Sequence, residues 1–147
     1  MEVIVAISIA MLLVGVAVMS IDSVNQEHSL RREGSLLESA ARAAMLRALT
    51  SQQSQAIMFR KNAFGVADSA NRETWHSLPQ DGKLEILRLG EAEWRSPGST
   101  EIWRFIPGRV CEPVSVRITL PFGYQILSFD PLSAAVRESS LVIYSKS

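Results

Sequence analysis

The sequence predicts an α+β protein in which one long N-terminal helix packs on an antiparallel β-sheet domain. Three observations lead to this fold class. Residues 3–21 carry no charge, residues 22–54 contain no proline and show helical apolar spacing, and the later segments are short and bounded by Gly, Pro, Asn or Asp. A helix followed by a run of strands is typical of α+β domains, in which the helix covers one face of the sheet. We therefore divide the chain into parts at 1–22, 23–54 and 55–147.

Composition and charge exclude several classes of function. The 147 residues suffice for one small domain, and a hydrophobic share of 47% is typical of a folded chain. Fifteen basic and fifteen acidic side chains give a net charge of zero, whereas nucleic-acid binders carry a basic excess. One cysteine excludes an internal disulfide and a cysteine-cluster metal site, and two histidines offer little for zinc or general-base chemistry. We expect no cofactor, no metal, no nucleic acid and no enzymatic activity.

The N-terminal apolar run has the length of a membrane span. Val3–Ile21 comprises 19 uncharged residues, which as a helix would extend about 28 Å, close to the thickness of the hydrocarbon core of a bilayer. Every basic residue lies at or after Arg31, and from there to the end 15 basic residues face 12 acidic ones. The chain therefore combines an apolar N-terminal segment with a mildly basic soluble part.

Three interpretations of this run compete: a cleaved secretory signal, a plain membrane anchor, and an anchor that also packs against copies of itself. A signal begins with basic residues and has a short apolar core, whereas here Glu2 stands first and the run is long. A carboxylate drawn into a membrane needs a partner, and the N-terminal ammonium of a neighbouring subunit would provide one. Small side chains, which let helices approach closely in lipid, recur at Ala6, Ala10, Gly15 and Ala17. Such residues are also common in any spanning helix, so a plain anchor stays open.

Residues 23–54 are predicted to continue the same helix. A stripe of apolar side chains recurs there at helical spacing and predicts a face that packs on the sheet. The stripe consists of Leu30, Leu37, Ala41, Ala44 and Ala48, with Leu36, Ala40 and Ala43 at the same spacing beside them. A single helix from Val3 to Gln53 would be about 75 Å long. An independent second helix, with a break at Asp22 or Ser23, would present the same packing face.

Seven short segments after residue 54 are predicted to be strands, because they are apolar or partly alternating and are bounded by turn residues. Pro121–Gly123 is predicted to be a turn that joins two of them. The sheet part is small, so packing of the helix should matter to its stability. The segments are Gln55–Phe59, Phe64–Ala67, Lys83–Leu89, Ile102–Ile106, Ser115–Leu120, Gly123–Phe129 and Leu141–Tyr144.

The N-terminus Glu2-Val-Ile-Val-Ala-Ile-Ser-Ile-Ala-Met-Leu-Leu resembles that of type IV pilins and type II secretion pseudopilins. In that family a basic leader ends in Gly, and the mature chain opens with Phe-Thr-Leu, one more apolar residue and Glu. Met1-Glu2-Val3 is similar to the last part of this motif. We therefore expect the sequence upstream of Met1 to encode a Lys/Arg-containing leader that ends in Gly-Phe. Such a leader would export the C-terminal part despite Arg31 and Arg32 on the far side of the helix.

The resemblance, which covers about residues 1–22, implies a structural subunit of a pseudopilus or pilus-like filament that acts in protein secretion. It implies a single-pass protein of the bacterial inner membrane with its C-terminal domain in the periplasm, whose N-terminus is cleaved and methylated. Other pilin or pseudopilin subunits would be its partners through the N-terminal helix, together with the bilayer and the inner-membrane assembly machinery. Glu2 would set the axial register. Two alternatives remain: an anchored periplasmic domain without a filament, and a membrane-tethered enzyme.

The C-terminal half is similar to the H-type minor pseudopilin in two places. These are an aromatic residue, Trp75, after the first strands, and the segment Ile126-Leu-Ser-Phe-Asp-Pro131 before a last strand. The chain departs from the family where Leu132-Ser133 replaces the usual Gly. It also has a solitary Asp130 in place of the acidic calcium loop of the major pseudopilin.

The remaining reactive side chains have ordinary structural explanations. A nucleophilic Cys111 would need His28 or His76 beside it, yet no catalytic motif surrounds it, so we predict a structural cysteine. Three acidic side chains are typical of a solvated loop or strand edge, and three tryptophans are more typical of core or rim packing than of a binding platform. These are Glu85, Glu91 and Glu93, and Trp75, Trp94 and Trp103.

Overall fold

A computed structural model describes residues 2–67, 70–99 and 101–145, without the side chains of residues 19 and 20. Met1, the first residue of the predicted N-terminal motif, lies outside these residues. The described chain forms one helix, α1, followed by eight strands. The elements are α1 Glu2–Ser51, β1 Gln55–Arg60, β2 Ala63–Ala67, β3 Glu73–Ser77, β4 Lys83–Arg88, β5 Glu101–Phe105, β6 Val114–Leu120, β7 Gly123–Phe129 and β8 Val136–Ile143.

The helix is continuous through the position where a break was considered. It contains no proline, and Asp22 and Ser23 both lie within it, so the single-helix prediction is confirmed to within two residues at each end. Gln52, with φ of 55°, takes the left-handed conformation that ends the helix. Its side-chain amide donates a hydrogen bond to the carbonyl of Leu49 at 2.7 Å, which satisfies one of the unpaired carbonyls of the last turn.

The strands form two antiparallel sheets, where the sequence led us to expect one. The first sheet has the order β3-β2-β1-β5 and the second the order β4-β6-β7-β8. The division arises because β1–β2–β3 and β6–β7–β8 are local meanders, while β4 and β5 are exchanged between them. The α+β class and the antiparallel pairing are confirmed.

The β6–β7 hairpin follows the predicted pattern most closely. Buried and half-buried side chains alternate along both strands, as expected when one face of a sheet is covered. Leu120 pairs with Gly123 across the turn at Pro121 and Phe122, which confirms the turn prediction. A Cβ atom at position 123 would lie 2.3 Å from the carbonyl oxygen of Val142, so the close approach of β8 requires glycine there.

Two strands at the outer edges of the sheets were predicted poorly. β3 was not predicted at all, and of β8 only the end from Leu141 onward was expected. β3 has the sequence Glu-Thr-Trp-His-Ser, and the exposed part of β8 runs through Arg137–Ser140. An edge strand needs no continuous apolar face, so neither segment carries the alternation by which strands are recognised.

The core lies between α1 and the inner faces of both sheets. Five residues of the predicted stripe are buried, whereas Leu36 and Ala43 beside them are exposed and Ala40 is half-buried, so the packing face is narrower than predicted. The buried residues are Leu30, Leu37, Ala41, Ala44 and Ala48. The Trp103 ring lies against Phe105 and Phe129, with centroids 4.7 and 5.0 Å apart, and so joins residues of both sheets. Burial of each large apolar side chain contributes about 1.5–3 kcal/mol to the free energy of folding. The helix forms one side of this core, so its packing contributes to the stability of both sheets.

Charged side chains tie the two sheets together at the β4–β5 boundary. Arg88 on β4 donates to Glu101 on β5 at 2.8 Å and to the carbonyl oxygen of Ile102 at 2.8 Å. Arg95 donates to the same carboxylate at 2.7 Å and to Glu91 at 2.8 Å. The Arg88 side chain therefore occupies part of the free edge of the first sheet.

Candidate functional site

The first half of α1 extends beyond the folded domain. We call residues 2–24 the projecting half. Its described side chains are exposed, and the first fully buried side chain of the helix is Leu30. The apolar part is long enough and apolar enough to cross a bilayer, and it is not buried in the protein as the core helix of a soluble protein would be.

The small residues singled out from the sequence fall on two sides of the helix. Glu2, Ala6, Ala10 and Ala17 follow each other at intervals of four, four and seven residues and therefore share one side. Gly15 lies on the opposite side, and apart from the adjacent helix backbone no described atom lies within 4 Å of where its Cβ would be. The helix thus groups the acid with three alanines and separates the glycine from them.

A second pattern on the projecting half was missed in the sequence. Large apolar side chains recur at intervals of four and three residues and form a continuous exposed stripe, which we call the apolar seam. The seam consists of Ile7, Met11, Val14, Val18 and Ile21. Asp22 borders its end and makes no hydrogen bond or ion pair among the described residues. Heptad spacing is the signal that would have found this seam.

A groove lies on the side of α1 that faces away from the sheets. We call it the outer groove; its volume is about 630 Å³. Exposed leucines dominate its apolar wall, with Leu46 62%, Leu49 47% and Leu132 73% exposed. Its lining consists of Ser35, Glu38, Ser39, Arg42, Ala43, Met45, Leu46, Leu49, Leu132 and Ser133.

The two charged residues of the outer groove differ in their partners. Glu38 accepts a hydrogen bond at 3.1 Å from the backbone N–H of Val136, so it fastens β8 to the helix. Arg42 is exposed and makes no hydrogen bond or ion pair within the described ranges. The groove therefore contains one carboxylate and one guanidinium group, four residues apart on the helix, beside an apolar wall.

A buried carboxylate joins α1 to the edge strand β3. Glu33 is only 5% exposed, and its Oε2 lies 2.5 Å from Nε2 of His76. The His76 ring packs on Phe64 with centroids 5.1 Å apart. A buried carboxylate needs such a partner, and this pair anchors an otherwise marginal strand. Sequence reasoning missed Glu33 because it follows a run of exposed charged residues.

The cysteine is buried and has no histidine bound to it. Its Sγ lies 3.9 Å from the carbonyl oxygen of Asp130, while His76 is engaged with Glu33 and His28 is exposed on the helix. Burial raises the pKa of the Cys111 thiol, which keeps the sulfur protonated and weakly nucleophilic at neutral pH. These features match the structural role predicted for this residue.

The three tryptophans occupy different environments and form no common platform in the described chain. Trp103 is fully buried, whereas Trp75 stacks with Arg60 at 3.7 Å and Trp94 lies 5.0 Å from Arg117. Arg117 also binds Glu85 at 2.8 Å.

Asp130, the solitary acid of the C-terminal part, binds the backbone and belongs to no candidate metal site among the described residues. Asp130 accepts a hydrogen bond from the backbone N–H of Leu132 at 2.8 Å and so caps a turn. Among residues 2–67, 70–99 and 101–145, no three His, Cys, Asp or Glu side chains are grouped in a way that would hold a metal ion.

Comparison with protein-family models, with characterised proteins and with solved structures finds no match to this chain. Interpretation of its function therefore depends on the N-terminal residues and on the geometry described above. The projecting half and the outer groove are two surfaces of the described chain with large exposed apolar side chains.

Proposed function

We propose that the chain is a structural subunit of a pseudopilus or pilus-like filament that acts in protein secretion. The observation that carries the proposal is the exposed apolar half of α1, which continues without a break into a stripe buried under two sheets. A helix built this way gives the folded domain an exposed apolar extension, namely the projecting half, which we also call the stem. The resemblance of residues 1–22 to pilins and pseudopilins supports the same role.

In the first stage the projecting half holds the subunit in the bacterial inner membrane. Its apolar side chains favour lipid, and the Ser8 hydroxyl donates to the carbonyl oxygen of Ile4 at 2.8 Å, so this polar group is satisfied within the helix. The domain from residue 25 onward then lies in the periplasm.

In the second stage the stems of several subunits leave lipid and pack together with the help of the inner-membrane assembly machinery. Close packing at Ala6, Ala10 and Ala17 and apolar contact supply most of the association energy. Glu2 lies on the same side as these alanines and pairs with the amino terminus of a neighbour. Because two buried charges lose their hydration, the pair fixes the axial register more than it adds stability.

The subunit needs no catalytic group, metal or cofactor for this role. The sheet domain faces outward from the filament and meets other pseudopilins or cargo. The alternative is an anchored periplasmic domain that forms no filament. It predicts monomers in detergent and no cross-links between apolar helices.

Substitution of Glu2 tests the role of the stem. In cells that express the full gene product with its assembly machinery, Glu2→Ala should stay membrane-inserted and folded but fail to enter filaments. A cysteine at Ala10, in a Cys111→Ser background, reports assembly by cross-linking between copies. Glu27→Ala is the control, because Glu27 is a helix carboxylate whose one partner among the described residues is Arg31, at 2.8 Å.

Two results would count against the proposal in different ways. Normal cross-linking of the Glu2→Ala chain would remove the role assigned to Glu2. Absence of cross-links at Ala10→Cys in the chain with Glu2 intact would instead favour the anchored domain without a filament.

A further inference from the structure

We propose that the free edge of β5 binds an extended, acidic segment of a partner protein, which adds to the first sheet as a further strand. The inference goes beyond the proposed function and does not depend on it, because this edge belongs to the folded domain and not to the stem. Three features carry it: an open strand edge, a groove along that edge, and two arginines without carboxylate partners.

The outer side of β5 is open at Arg104. Arg60 pairs with Ala63 across the two-residue turn between β1 and β2, so even-numbered residues of β1 exchange hydrogen bonds with β2 and odd-numbered ones with β5. On β5, Ile102 and Arg104 lie opposite even-numbered residues and therefore direct their N–H and C=O groups away from β1. Arg88 donates to the carbonyl oxygen of Ile102 from that side at 2.8 Å, whereas no hydrogen bond from the described residues reaches the backbone of Arg104 there.

The edge of β4, the neighbouring strand of the second sheet, is closed by the chain itself. Ile86 exchanges two backbone hydrogen bonds with Arg95, at 2.9 and 3.1 Å, and the N–H of Leu84 donates to the carbonyl oxygen of Lys61 at 2.7 Å. A closed edge cannot pair with another chain, whereas an open edge is a template for a further strand. β5 therefore offers backbone groups to a partner that β4 does not.

A groove of about 590 Å³ runs along the open edge, and we call it the β5 groove. Two of its apolar side chains face solvent, with Ile106 41% and Val110 61% exposed. An extended segment turns successive side chains to opposite sides, so it can set apolar side chains against these two residues while its backbone pairs with Arg104. The residues of the groove that matter here are Ile102, Arg104, Ile106, Arg109, Val110 and Glu112.

The β5 groove carries positive charge that its own carboxylate does not neutralise. Glu112 is bound by Arg88, which also binds Glu101, and the other carboxylate at the boundary between the sheets is engaged with an arginine in the same way. Arg104 and Arg109 are exposed, and their side chains make no hydrogen bond or ion pair within the described ranges. A guanidinium group binds a carboxylate through two parallel hydrogen bonds, so acidic side chains are the partners that these two arginines select.

The geometry of β5 places one of these acids on the docked strand. Trp103 and Phe105 point into the core, so Arg104 between them stands on the outer face of the first sheet. A strand paired with β5 has a side chain directly opposite Arg104 on that face, and an acid there forms a favourable cross-strand pair. Arg109 follows the turn after β5, whose N–H it closes onto the carbonyl oxygen of Ile106, and so meets an acid farther along the segment.

Binding of a synthetic peptide to the full-length protein in a nonionic detergent tests the proposal. The probe is a fluorescein-labelled peptide of about eight residues in which valine and glutamate alternate, and fluorescence anisotropy measures its Kd. Replacement of every glutamate by lysine should abolish binding. N-methylation of one set of alternate backbone amides should weaken binding about tenfold, and N-methylation of the other set should leave it unchanged, because only one edge of the peptide pairs with β5.

Substitution of the two arginines tests where the peptide docks. Arg104→Gln and Arg109→Gln should each weaken binding of the glutamate peptide about two- to fivefold. Arg137→Gln is the matched control and should leave binding unchanged, because Arg137 is an exposed arginine on β8, which is also an edge strand. The double variant Arg104→Glu/Arg109→Glu should bind the lysine peptide in preference to the glutamate peptide. Near-ultraviolet circular dichroism verifies that each variant has folded.

Each contrary result overturns the inference. Equal binding of the lysine peptide, or of single-stranded DNA of the same charge as the glutamate peptide, would show that the occupant is not an acidic peptide. An equal effect of both N-methylations would show that the peptide does not dock as a strand, and equal weakening by Arg137→Gln would place it elsewhere. If the glutamate peptide does not bind at all, the β5 groove has no such partner, while the assembly role of the stem, which Glu2→Ala tests separately, is unaffected.

Discussion

Glu101 is held by two arginines that come from outside its own strand. Arg88 reaches it from the second sheet, and Arg95 binds both of its oxygens from the segment between β4 and β5. The hydrogen bond from Arg95 is the main cause of a lowered pKa for the Glu101 carboxyl, and burial acts in the opposite direction. The ionised form of Glu101 is therefore favoured in the folded chain. The contact between the two sheets should accordingly weaken when this carboxyl is protonated.

The lowered pKa predicts a loss of stability in acid. A carboxyl whose pKa is depressed by folding stabilises the protein above its ordinary pKa of 4.5, and this contribution disappears as the pH falls through the depressed value. Glu101→Gln should reduce the free energy of unfolding by about 1–3 kcal/mol at pH 7 and by much less at pH 3. Urea unfolding of the detergent-solubilised protein at both pH values measures this.

Glu138→Gln serves as the control, because Glu138 is exposed and its nearest cation, Arg137, lies 3.9 Å away. Its substitution should change the free energy of unfolding little at either pH. An equal loss for Glu101→Gln at pH 7 and pH 3 would contradict the electrostatic explanation.

Two neighbouring leucines on α1 lie on different faces of the helix, one buried and one exposed. Leu37 is 0% exposed and packs under the sheets, whereas Leu36 is 38% exposed and faces away from the core. The helix therefore divides its apolar side chains between a face that stabilises the domain and a face that is free for other contacts.

The two leucines give a matched pair of substitutions. Leu37→Ala should lower the free energy of unfolding by about 2–5 kcal/mol, because it leaves a cavity in the core. Leu36→Ala should cost less than about 1 kcal/mol, because its side chain is partly hydrated already. Thermal or urea unfolding of both variants checks the difference. Equal losses would show that the two faces are not distinct.

Helices and strands with one buried face could be predicted from the sequence, whereas exposed edge strands could not. The buried stripe of α1 and the β6–β7 hairpin carry strong periodic patterns, and both were predicted from the sequence. β3 and most of β8 lie at sheet edges with polar side chains, so no pattern marked them. The division into two sheets depends on which strands exchange hydrogen bonds, and neither this pairing nor the Arg88–Glu101 contact that joins the sheets leaves a periodic pattern in the sequence.

The candidate site could be predicted only in part for a related reason. Glu2 and the small residues of the stem were identified because a charge and small side chains stand out in an apolar run. The outer groove was not, because Leu132 meets Leu46 and Leu49 only once β7 and β8 have packed on the helix.

The molecule as a whole combines a stable domain with a stem that contributes nothing to its core. The buried side chains of α1 begin at Leu30, and the exposed apolar side chains of the stem extend to Val24. Folding of the sheets should therefore be independent of the segment before residue 25.

A shortened chain tests this independence. A protein that begins at Asn25 should be soluble without detergent and should keep the near-ultraviolet circular dichroism and urea midpoint of the full chain. The full chain should sediment with membranes and resist extraction by salt. Unfolding or aggregation of the shortened chain would show that the stem is part of the fold.

The unbroken 50-residue helix also has a mechanical consequence. A rod about 75 Å long, without proline or a hinge, moves as one piece, so an axial push or pull on its tip displaces the sheets at the other end by the same distance. Any motor that lifts such a subunit out of lipid would deliver its full stroke to whatever rests on the domain.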